Sequence, residues 1–262
     1  MRIFHLFSIA IASICACFCG CKSPITTDSG NTKAITTQVV VVGMERSQFA
    51  GSCPGARYDS DRMYRLLKKY AADSVLLQDS NATKANVTTA FKRAIAKAGN
   101  GMVIFYYSGH GGSEPFPDTG IEEADGKDEF LCLYDTYLCD NDIWNMIKES
   151  KGRVFWITDS CHSETQFRTP GFVLNPPLSF DHKLNEEHGF SLLCWSGCPD
   201  KDYSYGASTG GQFTNALLRH FKDTKTYQAL WDEIKTDKTL RAYENPQSTV
   251  IGDGFDNKEI FR

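Results

Sequence analysis

The sequence lacks an excess of positive charge and has no basic run. Among its 262 residues, 28 lysines and arginines are set against 32 aspartates and glutamates. This balance excludes the basic footprint that marks nucleic-acid-binding proteins, so we expect no nucleic-acid partner. The chain also lacks internal repeats, and its length suffices for one large hydrophobic core. We therefore expect one principal folded domain.

Cysteines with the spacing of metal ligands are lacking as well. Cys53, Cys132, Cys139, Cys194 and Cys198 have no histidine partners at the spacing of a zinc site. Cys132 and Cys194 lie on predicted strands, which favours packing in the core. Export would permit disulfides, and a bond between Cys194 and Cys198 stays an open alternative.

The long apolar run at the N-terminus is too short and wrongly flanked for a stable membrane span. It reads IFHLFSIAIASICACFC, follows Arg2 and ends before GCKS. We interpret residues 1–20 as an export signal and residues 21–37, which are polar and lack apolar periodicity, as a flexible tether. The folded domain is then 38–262.

The segment GCKS resembles the end of a bacterial lipoprotein signal, in which the cysteine carries the lipid. This resemblance implies a lipid on Cys21 and an exported protein held at a membrane, either in the periplasm or on the cell surface. Plain cleavage of the signal and an uncleaved hydrophobic anchor are the alternatives.

Strand and helix patterns alternate from residue 38 onward. The predicted strands are QVVVVG, SVLLQ, MVIFYY, RVFWIT, GFSLLCW and STVIG, and the predicted helices are DSDRMYRLLKKY, TKANVTTAFKRAIAKAGN, NDIWNMIKES and TGGQFTNALLRHF. The first helix starts at Asp59 and Ser60, a pair suited to capping. This order is typical of βαβ units with right-handed crossovers. It predicts an α/β fold with a mostly parallel sheet covered by helices on both faces.

Working sites in such sheets lie beyond the C-terminal ends of the strands. Three loops at these ends carry reactive residues: SGHGG after MVIFYY, DSCHSE after RVFWIT, and WSGCPDKD after FSLLC. His110 is in the first and Cys161 in the second. Neighbouring strands lie about 5 Å apart, so the two side chains are expected to share one cleft.

The segments YYSGHGG, EEADGKDEFLCLYD, DNDIWNMI and VFWITDSCHSE resemble, in this order, the motifs of the metacaspase branch of the caspase-like cysteine peptidases. The likeness covers roughly residues 38–252. It implies a caspase-like three-layer sandwich with a mostly parallel six-stranded sheet, and it implies hydrolysis of peptide bonds.

Cysteine-peptidase chemistry gives these residues their roles. Cys161 is the predicted nucleophile, and His110 is the imidazole that favours the thiolate and protonates the leaving amine. The backbone N–H groups of Gly111 and Cys161 are the predicted oxyanion donors. His162 is expected to point away from the cleft. Taken singly, a cysteine after an apolar strand is more often a small core residue, and Gly-His-Gly is more often a turn. Together, in two loops at the sheet end and within the matching motifs, they favour the catalytic pair.

Acidic residues predict the specificity. Asp159 precedes the nucleophile by two residues, and Asp59 lies where the resemblance implies an aspartate of the substrate pocket. Asp200 matches another pocket acid of the family more loosely. Carboxylates in one pocket bind arginine or lysine by charge-assisted hydrogen bonds, so we expect cleavage after basic residues. The alternative for Asp59 is a plain helix cap.

Calcium is the one metal that the resemblance suggests. Asp125, Asp140 and Asn141 fall where some of the oxygen ligands of calcium-activated relatives are expected. Arg168 stands at a further ligand position, and a cation there opposes a metal. We therefore expect no required cofactor and at most a weak effect of Ca²⁺. The acidic loop 122–129 is alternatively a solvated hairpin.

The segment 162–188 contains three prolines and no helical periodicity. We expect a long exposed loop outside the sandwich. It contains Arg168 and Lys183, which match the predicted specificity, so the active enzyme is expected to cut itself after one of them.

The sequence thus predicts a monomeric, exported cysteine endopeptidase that acts on proteins or peptides with a basic residue before the cut. The alternative from another class is an inactive caspase-fold module that binds peptides or partners at the cell surface. The presence of both Cys161 and His110 favours the enzyme.

Overall fold

The computed structural model describes residues 36–114, 127–161, 183–184, 188–198 and 206–261. Its strands are β1 Thr37–Gly43, β2 Asp73–Gln78, β3 Met102–Ser108, β4 Gly111–Glu114, β5 Asp128–Cys132, β6 Tyr137–Cys139, β7 Arg153–Asp159, β8 Lys183–Leu184, β9 Ser191–Ser196, β10 Gly206–Ala207, β11 Gly210–Gly211 and β12 Gln247–Ile251. Its helices are α1 Ala56–Leu67, α2 Lys84–Ala98, α3 Asp140–Ile147, α4 Gln212–His220, α5 Tyr227–Lys235 and α6 Lys238–Arg241.

The main sheet has the strand order β2-β1-β3-β7-β9-β12-β8. The first five of these strands are parallel, and β12 runs antiparallel to β9. Six strands have five to seven residues, which confirms the predicted six-stranded, mostly parallel sheet.

The short strand β8 corrects one expectation. Lys183 and Leu184 pair with Val250 and Ile251 of β12, so this part of 162–188 belongs to the sandwich and not to an exposed loop. Without β8, strand β12 would be an edge strand with unpaired backbone N–H and C=O groups. An extended segment beside it can form hydrogen bonds with these groups. Two residues are too few for a periodic signal in the sequence.

The strands of the sheet centre are buried on both faces because helices cover both. On β3, Phe105 and Tyr107 point into a core formed with α2 and α3, whereas Ile104 and Tyr106 point into a core formed with α1, α4 and α5. Phe105 stacks on Trp156 of β7 with 3.9 Å between ring centroids. The alternation of side chains in a strand thus produces the three layers that the sequence predicts.

Helix α1 begins earlier than predicted. Its N-cap is Gly55, with φ of +98°, and no side chain caps it. A Cβ atom at Gly55 would collide with the carbonyl oxygen of Ala207, so the turn needs glycine for both its backbone angle and its space. Asp59 is therefore in the first turn of α1, and the expectation of an Asp59 cap on this helix is wrong.

A second, antiparallel sheet with the order β4-β5-β6 follows directly after the end of β3. Asp128 and Glu129 in β5 are 4% and 1% exposed, so the interpretation of 122–129 as a solvated hairpin is wrong for these two residues. Their burial results from the pairing of β5 on both sides. This small sheet fixes the backbone on which His110 lies.

No helix among the described residues combines the length and the apolar character that a membrane crossing requires.

Candidate active site

The parallel pairing of β3 and β7 brings the two predicted catalytic residues to one edge of the sheet. Ser108 at the end of β3 is registered with Asp159 at the end of β7. His110 and Cys161 each follow two residues after that pair. The N–H of Gly109 still donates to the carbonyl of Asp159, at 3.3 Å, so the strands stay together up to the site. Both residues are half-buried, and both lie at the C-terminal ends of adjacent strands.

The backbone of His110 is held from two sides. Its carbonyl oxygen accepts hydrogen bonds from the N–H of Cys132, at 2.9 Å, and from the hydroxyl of Tyr107, at 2.7 Å. The same hydroxyl lies 2.7 Å from the carbonyl oxygen of Cys132. Tyr107 is fully buried, and burial raises the pKa of its hydroxyl well above the usual value, so it remains a donor. A Cβ atom at Gly109 would lie 2.5 Å from this hydroxyl, which explains the glycine there.

The imidazole of His110 has a defined partner. Its Nε2 lies 3.1 Å from the carbonyl oxygen of Ser52, in the loop between β1 and α1. A carbonyl can only accept, so Nε2 carries the proton in this contact and Nδ1 is left to exchange protons with a substrate or a thiol. Ser52 is not among the residues predicted from the sequence, because a backbone carbonyl leaves no signal in the residue type.

The N–H of Gly111 lies outside the hydrogen bonds between β4 and β5. The pair formed by His110 and Cys132 is hydrogen-bonded, and Gly111 with Leu131 is the next pair along the ladder. Narrow and wide pairs alternate in antiparallel strands, so the Gly111 N–H points away from β5. This orientation is compatible with the predicted oxyanion role, which stays a prediction.

Asp59 and Asp159 lie together beneath the N-terminus of α4. Asp59 accepts hydrogen bonds from the N–H of Gly211, at 2.7 Å, and the hydroxyl of Ser108, at 3.1 Å. Asp159 accepts one from the N–H of Thr214, at 2.8 Å. The two carboxylates are 1% and 5% exposed, and they thus bind the positive end of a nine-residue helix.

The electrostatics of this acid pair follow from burial. Burial, followed by the charge of Asp159, raises the pKa of Asp59 from 3.8 to about 7, against the opposing effects of the Gly211 N–H and of Arg62. The same surroundings act on Cys53, since burial and then Asp159 raise the pKa of its thiol to about 12. Cys53 therefore remains a thiol at neutral pH.

Of the predicted calcium ligands, the structure describes Asp140 and Asn141, which begin helix α3. The amide of Asn141 donates to Asp128 at 2.8 Å, and the N–H of Asn141 donates to Asp140 at 2.7 Å. Within the described ranges, no group of three acidic, histidine or cysteine side chains could hold a metal ion. Ca²⁺ requires about six to eight oxygen ligands. The described residues therefore do not fit a complete calcium site.

Three of the described cysteines, Cys132, Cys194 and Cys198, are buried, and the others are half-buried. Cys132 and Cys194 are 4% and 2% exposed, which confirms the expectation of core packing. Cys194 and Cys198 are thiols in the structure and form no disulfide with each other, so that alternative is wrong. The Cys198 thiol donates instead to the carbonyl of Ser160, at 3.3 Å, beside the predicted nucleophile.

Several predicted residues lie outside the described part of the chain, and their roles stay predictions. They are Cys21 with the signal 1–20 and most of the tether 21–37, Asp125, His162, Arg168 and Asp200.

Comparisons with known proteins point in one direction. Residues 38–247 match the model of the Caspase domain. The chain is 26% identical over 240 residues to Metacaspase-1 of Pyricularia oryzae, covering 86% of this chain and 57% of that protein. It spans a little over half the length of the first such fungal relatives.

Two solved structures share the fold. A protein from Geobacter sulfurreducens superposes with a TM-score of 0.67 at 24% identity, covering 86% of this chain and 98% of that one. Caspase-1 from Spodoptera frugiperda superposes with a TM-score of 0.52 at 13% identity, covering 86% and 92%.

Proposed function

This chain belongs to the Caspase domain family, and from that premise we propose that it is a cysteine endopeptidase that cuts after arginine or lysine through a dyad of Cys161 and His110. The observation that carries the proposal is the position of the two residues. Each follows the registered pair of Ser108 and Asp159 by two residues, on adjacent parallel strands.

The dyad performs the reaction in two steps. Nδ1 of His110 takes the proton of the Cys161 thiol, the Sγ thiolate attacks the carbonyl carbon of the scissile bond, and the N–H groups of Gly111 and Cys161 stabilise the oxyanion. The C–N bond then breaks as Nδ1 of His110 gives its proton to the leaving amine. Water attacks the resulting thioester, His110 takes the proton of that water, and the acid product leaves with the thiol restored.

The contact of His110 with Ser52 supports this sequence of proton transfers. Because Nε2 donates to the Ser52 carbonyl, the imidazole keeps one orientation and one tautomer. Nδ1 is thereby the atom that exchanges the proton. The two hydrogen bonds to the His110 carbonyl fix the backbone from which the ring extends.

The acid pair supports the preference for a basic residue. Asp59 and Asp159 lie next to the site, and Asp159 is on the same strand end as the nucleophile. Their two carboxylates are suited to bind a guanidinium or an ammonium group. Asp200 is proposed as a further pocket acid.

The proposed cellular setting follows from the N-terminal sequence. We infer that the protein is exported and anchored through a lipid on Cys21, acts as a monomer on protein or peptide substrates, and needs no cofactor for the dyad chemistry. Mass spectrometry of the mature N-terminus tests the anchor, since an unmodified N-terminus at any other residue contradicts it.

The enzymatic proposal is tested with the purified full chain on peptides in which arginine, lysine or aspartate precedes the bond to be cut. We expect cleavage after arginine and lysine only. We expect no cleavage by Cys161→Ala or His110→Ala, because each substitution removes one member of a cooperating pair. Cys139→Ala, which removes a half-buried thiol on β6, is the control and should keep full activity. Cleavage by Cys161→Ala would refute the nucleophile.

A well-folded wild type that cuts none of the peptides supports the alternative of an inactive peptide-binding module. Binding of the same peptides, measured by calorimetry, then distinguishes a module that recognises basic residues from one that does not.

A further inference from the structure

Both oxygens of Asp59 are already occupied by donors from the chain itself. Oδ2 accepts from Gly211 and Ser108, and Oδ1 accepts from the guanidinium of Arg62, at 2.5 Å. Arg62 lies three residues after Asp59, on the same helix α1. The structure therefore shows a guanidinium on the carboxylate that the proposed function assigns to the guanidinium of a substrate.

The guanidinium of Arg62 uses only part of its hydrogen-bonding capacity in this contact. The same Nη2 atom that reaches Asp59 also donates to the side-chain oxygen of Asn215, at 2.8 Å. The Nε atom is buried and has no hydrogen-bond partner among the residues that the structure describes. A guanidinium offers five N–H donors, and its strongest contacts with carboxylates are bidentate. The contact of Arg62 with Asp59 uses only one nitrogen, so a bidentate partner would bind better.

Arg62 also has a route away from the carboxylate. Its side chain is 22% exposed, and its guanidinium lies 4.2 Å from the centre of the Tyr58 ring, which is itself exposed. A guanidinium that leaves Asp59 can stay stacked on this ring at the surface. Displacement thus requires a local change of one side chain and not an opening of the fold.

We propose that Arg62 is a specificity-determining residue that occupies Asp59 in place of the substrate and competes with the arginine or lysine that precedes the cut. This inference rests on the proposed preference for basic residues. It predicts that the enzyme binds basic side chains less tightly than it would if Arg62 did not occupy Asp59. It also predicts that a substrate must displace Arg62 in order to bind.

The alternative role of Arg62 is that of a clamp that orients Asp59 for the substrate. The two roles predict opposite signs. Removal of a competitor tightens the binding of a basic ligand, whereas removal of a clamp weakens it. A measurement of affinity therefore separates them where a loss of activity would not.

The test uses the full chain in the Cys161→Ala background, so that binding is measured without cleavage. The probe is N-acetyl-arginine methylamide, with N-acetyl-glutamine methylamide as the uncharged control, titrated by calorimetry at about pH 8.5, where a carboxyl with a pKa of about 7 is ionised. We expect Arg62→Ala to lower the Kd for the arginine probe about tenfold, the size of effect typical of one charge-assisted hydrogen bond, and to leave the glutamine probe unchanged.

Arg57→Ala is the matched control. Arg57 is on the same helix and carries the same charge, but it pairs with Asp79 and not with the acid pair, so its removal should leave the Kd unchanged. Arg62→Met retains an unbranched apolar stem against Tyr58 and should tighten binding as Arg62→Ala does. It also keeps the test decisive if the alanine variant unfolds.

An unchanged or higher Kd in the folded Arg62 variants overturns the inference, and so does failure of all the proteins to bind the arginine probe. Cleavage by the unmodified enzyme separates this failure from that of the proposed function. If the wild type cuts after arginine and the Arg62 variants bind no tighter, only the competition is wrong. If the wild type cuts after neither arginine nor lysine, the basic specificity itself is wrong.

Discussion

The hydroxyl of Tyr107 is expected to matter for both stability and catalysis. Its oxygen lies 2.7 Å from the carbonyl oxygen of His110 and 2.7 Å from that of Cys132; the contact with Cys132 is buried and the contact with His110 is partly buried. Tyr107→Phe removes the hydroxyl and keeps the ring in its core position. The His110 carbonyl then retains only the N–H of Cys132.

The magnitude follows from the loss of one shared buried hydrogen bond. We expect the free energy of unfolding to fall by about 1–2 kcal/mol, because one buried and one partly buried carbonyl oxygen lose a donor. For a chain of this size that corresponds to a melting temperature lower by roughly 2–8 °C. We further expect kcat to fall about tenfold, since a backbone shift of His110 on the order of 1 Å moves the ring away from the reacting atoms.

Tyr106→Phe is the matched comparison for this prediction. Tyr106 is the preceding residue on β3, is equally buried, and shares its hydroxyl with the hydroxyl of Thr214, at 2.6 Å, on the opposite face of the sheet. Thermal unfolding and steady-state kinetics of both variants show whether the Tyr107 hydroxyl affects stability alone or kcat as well. A similar loss of stability in both, with a loss of kcat only in Tyr107→Phe, is the expected result. An unchanged kcat in Tyr107→Phe would refute the idea that this hydroxyl positions His110.

Further predictions concern the acid pair, self-cleavage and calcium. Because burial and Asp159 raise the pKa of Asp59 to about 7, the KM for arginine peptides should fall as the pH rises through that value, and Asp59→Asn should flatten the profile. The raised pKa also means that ionisation of Asp59 opposes folding. The free energy of unfolding of the wild type should therefore decline between about pH 4 and 7, and that of Asp59→Asn should decline less. If the free energy of unfolding depends on pH in the same way in both proteins, the raised pKa of Asp59 is contradicted. The backbone of Lys183 is paired with β12, which protects it from cleavage. Arg168→Gln should therefore abolish self-cleavage, whereas Lys183→Gln should not, and sequencing of the fragment ends checks both variants. Addition of a calcium chelator should leave the rate of peptide cleavage unchanged. A fall of that rate by more than about tenfold would support a functional calcium site.

The sequence carries most of the information about the sheet and part of the information about the site. Runs such as MVIFYY are typical of strands buried on both faces, and the parallel order then brings His110 and Cys161 to the same edge of the sheet. The antiparallel course of β12 and the two-residue strand β8 depend on which edge is left open, and a short segment contains no periodic signal for either.

The rest of the site depends on contacts that residue types do not encode. Ser52 contributes only its carbonyl, which any residue would supply. Arg62 resembles an ordinary surface arginine three residues from an aspartate on a helix. What sets it apart is that its partner is buried: the hairpin of β10 and β11 and the start of α4 cover Asp59, which is then 1% exposed. Tertiary packing, not local pattern, makes this pair a candidate for the substrate pocket.

Covalent labelling of the full chain tests the central claim most directly. An arginyl peptide with a cysteine-reactive ketone at its C-terminus should add one label per chain, and peptide mapping by mass spectrometry should find that label on Cys161. His110→Ala should slow the labelling strongly, and the same reagent with aspartate in place of arginine should react far more slowly. Labelling of Cys53 or Cys139 instead, or equal rates for the arginine and aspartate reagents, would contradict the account.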